Sequence, residues 1–288
     1  MTTVSDRRYL VTGGGGMLAA DLRQALAGRS ATFLDRATLD ITDEDAARAA
    51  VRGHDVIINA AAFTAVDAAE TEEDAAYAVN ATGAANLARA AASSGATLVQ
   101  VSTDYVFDGT ATTPYAEDEV RKPVSAYGRT KAEGERLALD LGPERTYIVR
   151  TAWLYGKNGG NFAKTMLKLA AARDELTVVD DQVGQPTWTL DLAKQIVALV
   201  DSDAPAGVYH GTNAGQASWF EFARAIFAGA GLDPERVKPT DSAAFVRPAP
   251  RPAYSVLGHN AWISAGIPPL RSWEEALAEA MRQGVVEP

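Results

Sequence analysis

The order of residue types along the chain predicts an α/β fold, a doubly wound parallel sheet with a smaller C-terminal lobe. Three observations lead there. Short β-branched runs alternate with longer alanine-rich stretches through the first half, a glycine-rich turn joins the first apolar run to the first helical stretch, and the alternation becomes irregular beyond Gly156. Near-continuous apolar runs of strand length belong to parallel strands covered by helices on both faces.

The elements follow in order. "RYLVTG" reads as the first strand and feeds a helix from Met17 to Leu26; "ATFLD" precedes the helical "DEDAARAAV". "DVIINAAA" precedes one helix from Asp74 to Ser93, and "ATLVQVSTDYVF" leads to the helix that carries Tyr127. "TYIVRTAWLYG" closes this half, so residues 1–155 form the first domain. Residues 156–288 mainly form the second lobe, with about 185–205 packing back on the first domain. Its expected helices are "NFAKTMLKLAA", "DLAKQIVALV", "SWFEFARAIFAGAG" and a last one from Trp273 to Arg282; "GVYHGT" reads as a strand and the proline-rich "VRPAPRPAYSVL" as a surface loop.

Composition narrows the function. With 47% hydrophobic and 22% charged residues over 288 positions, the chain can bury a substantial core. A net charge of -10 without any Lys/Arg block argues against a nucleic-acid partner. The sequence has no cysteine, which removes disulfides and thiolate chemistry. His54, His210 and His259 show no ligand spacing and read as structural or exposed, so no metal site is expected. The opening "MTTVSDRRYLVTGGGG" has neither a signal-peptide core nor a bilayer span, and a cytoplasmic location is the expectation.

"VTGGGGMLA" sets Gly13 and Gly16 in the turn from strand to helix, followed by Met17 and Leu18, with Ala19 three residues past Gly16. Glycine there permits a tight turn and close approach of a pyrophosphate to the free N–H groups of a helix start. Asp35 ends the second strand at about the spacing of 20 residues that dinucleotide sites use for a ribose ligand. The adjacent Arg36 suits the 2′-phosphate of NADPH instead, so the cofactor is NADPH or NADH, with NADPH favoured. Asp40 and Ile41 either border the adenine or lead into the helix near Asp43.

"SAYGRTKAEGERL" puts Tyr127 and Lys131 at i and i+4, on one helical face. Reduction of a carbonyl requires a proton for its oxygen, and an ammonium beside a phenol favours the tyrosinate, so Lys131 is expected to lower the pKa of Tyr127. Thr103 ends the fourth strand, at the sheet edge where open α/β folds bind ligands, and can hold the carbonyl oxygen by a hydrogen bond.

The glycine turn, "NAAAFTAVDAAE", "STDYVFDG", "YGRTKAEGE", "RTAWLYG", "NFAKTMLKLA", "DQVGQPT" and "RPAYSVL" occur in an order that resembles the extended short-chain dehydrogenase/reductase family over nearly the whole chain. The resemblance implies a Rossmann-type first domain, a substrate-binding second lobe, and hydride transfer from NAD(P)H to C4 of dTDP-4-dehydro-β-L-rhamnose. It makes Thr103, Tyr127 and Lys131 catalytic, and gives Thr64, Tyr105, Trp153 and Asn161 to the sugar and nucleotide pocket. Ala60, Ala61 and Ala62 would let the backbone lie close to the cofactor. Trp153 reads equally as core packing and Asn161 as a helix N-cap, while Arg251 either contacts the diphosphate or stays solvated. Some relatives bind magnesium between subunits; Asp21 suits one such position and Leu190 does not suit another, so no metal is carried over. The implied partner is a dTDP-sugar, and the implied state a monomer or homodimer. Related epimerising enzymes use a cysteine, and its lack favours reduction alone. Two alternatives stay open: a reductase of another dTDP-4-keto-deoxysugar, of a dihydrostreptose or antibiotic branch, and a non-catalytic NADP-binding regulatory subunit resembling the beta subunit of methionine adenosyltransferase.

Overall fold

The computed structural model describes residues 6–286. Strand β1 (Arg8–Thr12) is buried except at Arg8, as its apolar run requires. It leads through the glycine turn into α1 (Met17–Ala25), then β2 (Ser30–Leu34), α2 (Glu44–Val51), β3 (Val56–Asn59) and the short α3 (Val66–Ala69). Asp43 caps α2 by accepting from the Ala46 amide, and Glu44 and Asp45 suit the positive end of its dipole.

The single helix expected from Asp74 to Ser93 is interrupted. Helix α4 (Glu73–Tyr77) runs into a π-helical turn over Ala78–Thr82 before α5 (Gly83–Ser94) continues. Asn80 in that turn accepts from the Phe63 amide, donates to the Phe63 carbonyl and donates to Thr130. The extra residue lets one buried amide satisfy three partners on two other elements, a tertiary demand with no mark in an alanine-rich run.

Next come β4 (Thr97–Thr103), a 3₁₀ turn at Asp104–Val106, α6 (Ala126–Leu141) and β5 (Thr146–Thr151). Beyond them lie β6 (Leu154–Tyr155), α7 (Phe162–Ala172), β7 (Leu176–Val179), β8 (Val183–Gly184), β9 (Thr187–Trp188) and α8 (Thr189–Asp201). The chain ends with β10 (Gly207–His210), β11 (Ala217–Ser218), α9 (Trp219–Gly229), β12 (Val237–Thr240), α10 (Asn260–Ser264) and α11 (Trp273–Arg282).

The main sheet is six-stranded in the order β10-β5-β4-β3-β1-β2, and every pairing in it is parallel. The chain moves outward from β1 to β2, then returns to build β3, β4 and β5 on the other side. That reversal leaves a crevice at the carboxyl ends of β1 and β3, the place where doubly wound sheets bind ligands. Helix α8 packs on α1 through Leu192, Ala193 and Ile196, and β10 adds the edge strand beside β5. The returning segment therefore reaches His210, past the stretch 185–205.

A second core forms away from the sheet, where α7, α9 and α11 bury Met166, Phe222, Phe227 and Leu277 around Trp188. Ser218 and Ser272 start α9 and α11 with reciprocal capping boxes to Glu221 and Glu275. Among the described residues, no helix is long and apolar enough to cross a membrane.

Candidate active site

A cleft of about 1130 Å³ runs along the carboxyl ends of the strands, from the glycine turn to the start of α6 and the edge of the second core. Gly13, Gly16, Met17 and Leu18 line it, with Asp35, Arg36, Asp40 and Ile41 on the β2 side and Ala60, Ala61, Ala62 and Thr64 after β3. Gly13 has φ 70°, and a Cβ there would lie 2.7 Å from the backbone of Ala60 and Ala61. Only glycine fits. Gly16 caps α1 with extended backbone, and no side chain occupies that helix start, so its free N–H groups face the cleft. The cradle therefore fits the pyrophosphate of a dinucleotide.

Asp35 and Arg36 differ in how far they are committed. One Asp35 oxygen accepts from the Ala37 and Thr38 amides and from the Thr38 hydroxyl, which holds its pKa below the ordinary value. Arg36 makes no ion pair among the described residues, and its charge adds to the Thr42 hydrogen bonds in lowering the pKa of Asp40. Asp40 accepts from the Thr42 amide and hydroxyl, closing a turn ahead of α2.

The start of α6 is fixed from two sides: Ser125 caps it through the Gly128 amide, and Glu70 accepts from the Ala126 amide at 2.8 Å. Tyr127 thus sits in the first turn and Lys131 one turn later, both on the cleft wall with Thr103. Lys131 is 4% exposed, and its Nζ donates to the Val101 carbonyl at 2.7 Å. Burial lowers its pKa to about 8, against a smaller opposing pull from the Glu135 carboxylate. Behind it, Arg150 grips Glu135 through two hydrogen bonds of 2.9 and 2.8 Å, and Arg121 adds a third at 3.3 Å.

The expected acidification of Tyr127 is not what the surrounding groups produce. Burial pushes the phenol above its ordinary pKa, the charge of Asp104 adds to this, and only the Thr103 hydroxyl opposes it. One of the three Lys131 donors goes to a backbone carbonyl, burial weakens its charge, and the phenol has lost the solvent that would stabilise its anion. Tyr127 is therefore protonated at neutral pH. Asp104, fully enclosed, is itself raised to about 6 by burial, with the Ser255 and Thr103 hydroxyls opposing. The Thr103 hydroxyl donates to Asp104 at 2.9 Å and accepts from the Tyr105 amide at 3.2 Å.

Thr64, Tyr105 and Trp153 also reach the wall. The Tyr105 ring meets the Tyr127 ring edge-on, with centroids 5.6 Å apart at 74°. Arg251 stands beyond Tyr105, 6.0 Å from the ring centroid, and pairs with Asp67 at 3.0 Å. Asn161 caps α7 through the Lys164 amide and donates to the Gly156 carbonyl. Neither Arg251 nor Asn161 lines the cleft. Asp21, weighed as a metal ligand, accepts instead from the Thr189 hydroxyl inside the α1–α8 seam, and Leu190 is buried beside it.

Phe63, Thr151 and Trp219 are among the cleft residues that the sequence did not single out. Thr151 had a usable signal, since it ends a strand as Thr103 does. Trp219 had none, because its place depends on the second core folding against the sheet.

The model of the RmlD substrate binding domain matches residues 7–285. The chain belongs to that family. It is 50% identical over 281 residues to the dTDP-4-dehydrorhamnose reductase of Streptomyces griseus, covering 95% of this chain and 92% of the relative. It is also 50% identical over 277 residues to the dTDP-4-keto-6-deoxy-D-glucose reductase of Streptomyces niveus, covering 95% and 96%. The crystal structure of the Bacillus anthracis dTDP-4-dehydrorhamnose reductase in complex with NADP superposes with a TM-score of 0.93 at 40% identity, covering 96% of this chain and 99% of that one. This RmlD-family chain has the same doubly wound architecture over nearly its whole length.

Proposed function

We propose that the chain is an NAD(P)H-dependent reductase that converts the C4 ketone of dTDP-4-dehydro-β-L-rhamnose to the alcohol of dTDP-L-rhamnose. The observation that carries this reading is that Thr103, Tyr127 and Lys131 line the same cleft as the Gly13–Gly16 cradle. The relative from Streptomyces griseus, a dTDP-4-dehydrorhamnose reductase, supports the choice of sugar.

The bound nicotinamide supplies the hydride. The chain's own residues then handle the oxygen. Thr103 turns its hydroxyl from Asp104 to donate to that oxygen and fixes the carbonyl, while Tyr127, held protonated by burial, gives its proton as negative charge develops there. The Lys131 ammonium, one helical turn away, favours the tyrosinate that remains, and it also suits a ribose hydroxyl. The uncommitted Arg36 guanidinium, beside an Asp35 oxygen already used in its own turn, favours NADPH through the 2′-phosphate.

A second reading keeps the reaction and changes the sugar, and the equal identity to the Streptomyces niveus 4-keto-6-deoxyglucose reductase favours it specifically. A non-catalytic regulatory role is opposed by the presence of all three reacting groups. NADPH oxidation measured on a panel of dTDP-4-ketosugars, with each product identified, separates the three. Turnover to dTDP-L-rhamnose is the expected result. Turnover of an isomeric ketosugar alone selects the second reading, and NADPH binding without oxidation on any of them selects the regulatory one.

A further inference from the structure

Thr151 is the last residue of β5, and its register partner in β4 is Thr103. Paired residues of neighbouring parallel strands point to the same face, about 4.8 Å apart. Thr151 is 6% exposed and lines the cleft, and its Oγ1 is buried with no hydrogen-bond partner among the described residues. Thr103, beside it, is already engaged with Asp104 and Tyr105. Leaving a buried hydroxyl unpaired is costly, so one held against a ligand cleft points to a partner on the ligand.

The backbone next to it is also under constraint. Trp153, two residues on, has φ 46°, the left-handed region that a bulky side chain rarely adopts, and among the described residues no other non-glycine has a positive φ. Its indole stacks on Trp219 with centroids 3.5 Å apart at 7°, and fills the space at Gly184 where a Cβ would come within 2.5 Å of the ring. The strained turn and its stacked clamp hold the end of β5 in place.

The row β2, β1, β3, β4, β5 starts at Asp35 and passes the glycine cradle. A dinucleotide with its adenosine beside β2 and its pyrophosphate at the cradle carries its nicotinamide toward β4 and β5. Thr103 and Tyr127 attend to the ketone oxygen, which leaves the hydroxyl one strand further for the flank of the ring. The polar group on that flank is a primary carboxamide, which both donates and accepts, and a threonine hydroxyl can answer either way. We propose that Thr151 hydrogen-bonds the nicotinamide carboxamide and thereby holds the ring beside Thr103 and Tyr127. The inference rests on the NAD(P)H reading above.

The test uses Thr151→Val, which keeps the shape and removes the hydroxyl, and Thr151→Ser, which keeps the hydroxyl. Each is titrated calorimetrically with NADP⁺ and with 2′-phospho-ADP-ribose, a fragment that lacks the nicotinamide. The valine variant is expected to bind NADP⁺ roughly 3–10-fold more weakly and the fragment as tightly as wild type, with serine restoring NADP⁺ affinity. Unchanged NADP⁺ affinity in the valine variant overturns the inference, as does equal loss for both ligands. A raised KM for the ketosugar with NADP⁺ affinity intact overturns it too, since the hydroxyl would then face the sugar. These outcomes leave the parent reading standing; a wild-type chain that binds no NADP⁺ removes both.

Discussion

Asp104 is a carboxyl held against its own solvation. Burial lifts its pKa to about 6 from an ordinary 3.8, so between about pH 4 and pH 6 the folded chain keeps a proton that the unfolded chain has released. Stability therefore falls as pH rises through that window, by about 3 kcal/mol for a shift of about two units. Asp104→Asn should remove this loss. In urea denaturation at pH 4 and pH 7, the variant is expected to gain about 2–3 kcal/mol on wild type between the two; a difference independent of pH contradicts the account. Lys131 behaves in the opposite sense. With its pKa lowered to about 8, the ammonium is present below that pH and lost above it, while Tyr127, raised above its ordinary value, stays protonated. The Lys131 account then expects kcat/KM to fall above about pH 8, and Lys131→Met to lower activity at neutral pH and abolish that alkaline limb. A limb that persists in the methionine variant assigns it to another group. Glu135, Arg150, Arg121 and Asp104 are the charged groups packed around this pair.

At the scale of elements, two helices carry separable tests. Asn161 caps α7 and stands off the cleft, so Asn161→Ala should cost about 1 kcal/mol in unfolding free energy and leave the sugar KM within twofold. A large rise in KM would return Asn161 to the pocket. On α6, Glu135→Gln leaves the buried Arg150 without its counter-charge, and a loss of about 3–5 kcal/mol is expected from chemical denaturation. Strands β1, β3, β4 and β5 were legible as apolar runs because a parallel strand buried on both faces needs nothing else, whereas β2 is a half-exposed edge strand. The π turn at Ala78–Thr82 was not, because its cause lies in Phe63 and Thr130, far along the chain. The rule that picked out Thr103 at a strand's end applies equally to Thr151, and the sequence reading did not extend it there. The same helical spacing put Tyr127 and Lys131 on one helix, and both line the cleft, yet the acidity expected of the phenol depends on burial, which spacing does not report.

Across the whole molecule, α8 and β10 return to the sheet after the chain has begun the second core, so the two cores are joined by several crossings. Ligand in the cleft between them should stabilise the folded chain as a unit: NADP⁺ at 100 times its Kd is expected to raise the unfolding free energy by about 2.7 kcal/mol. The claim on which all of this turns is that the Tyr127 phenol delivers the proton in a reduction by NAD(P)H. Single-turnover oxidation of NADPH with dTDP-4-dehydrorhamnose, compared between wild type and Tyr127→Phe, tests it most directly. The account predicts a rate constant lowered about 10²–10⁴-fold in the variant at unchanged NADPH affinity. A phenylalanine variant that reduces the ketone at the wild-type rate would contradict it.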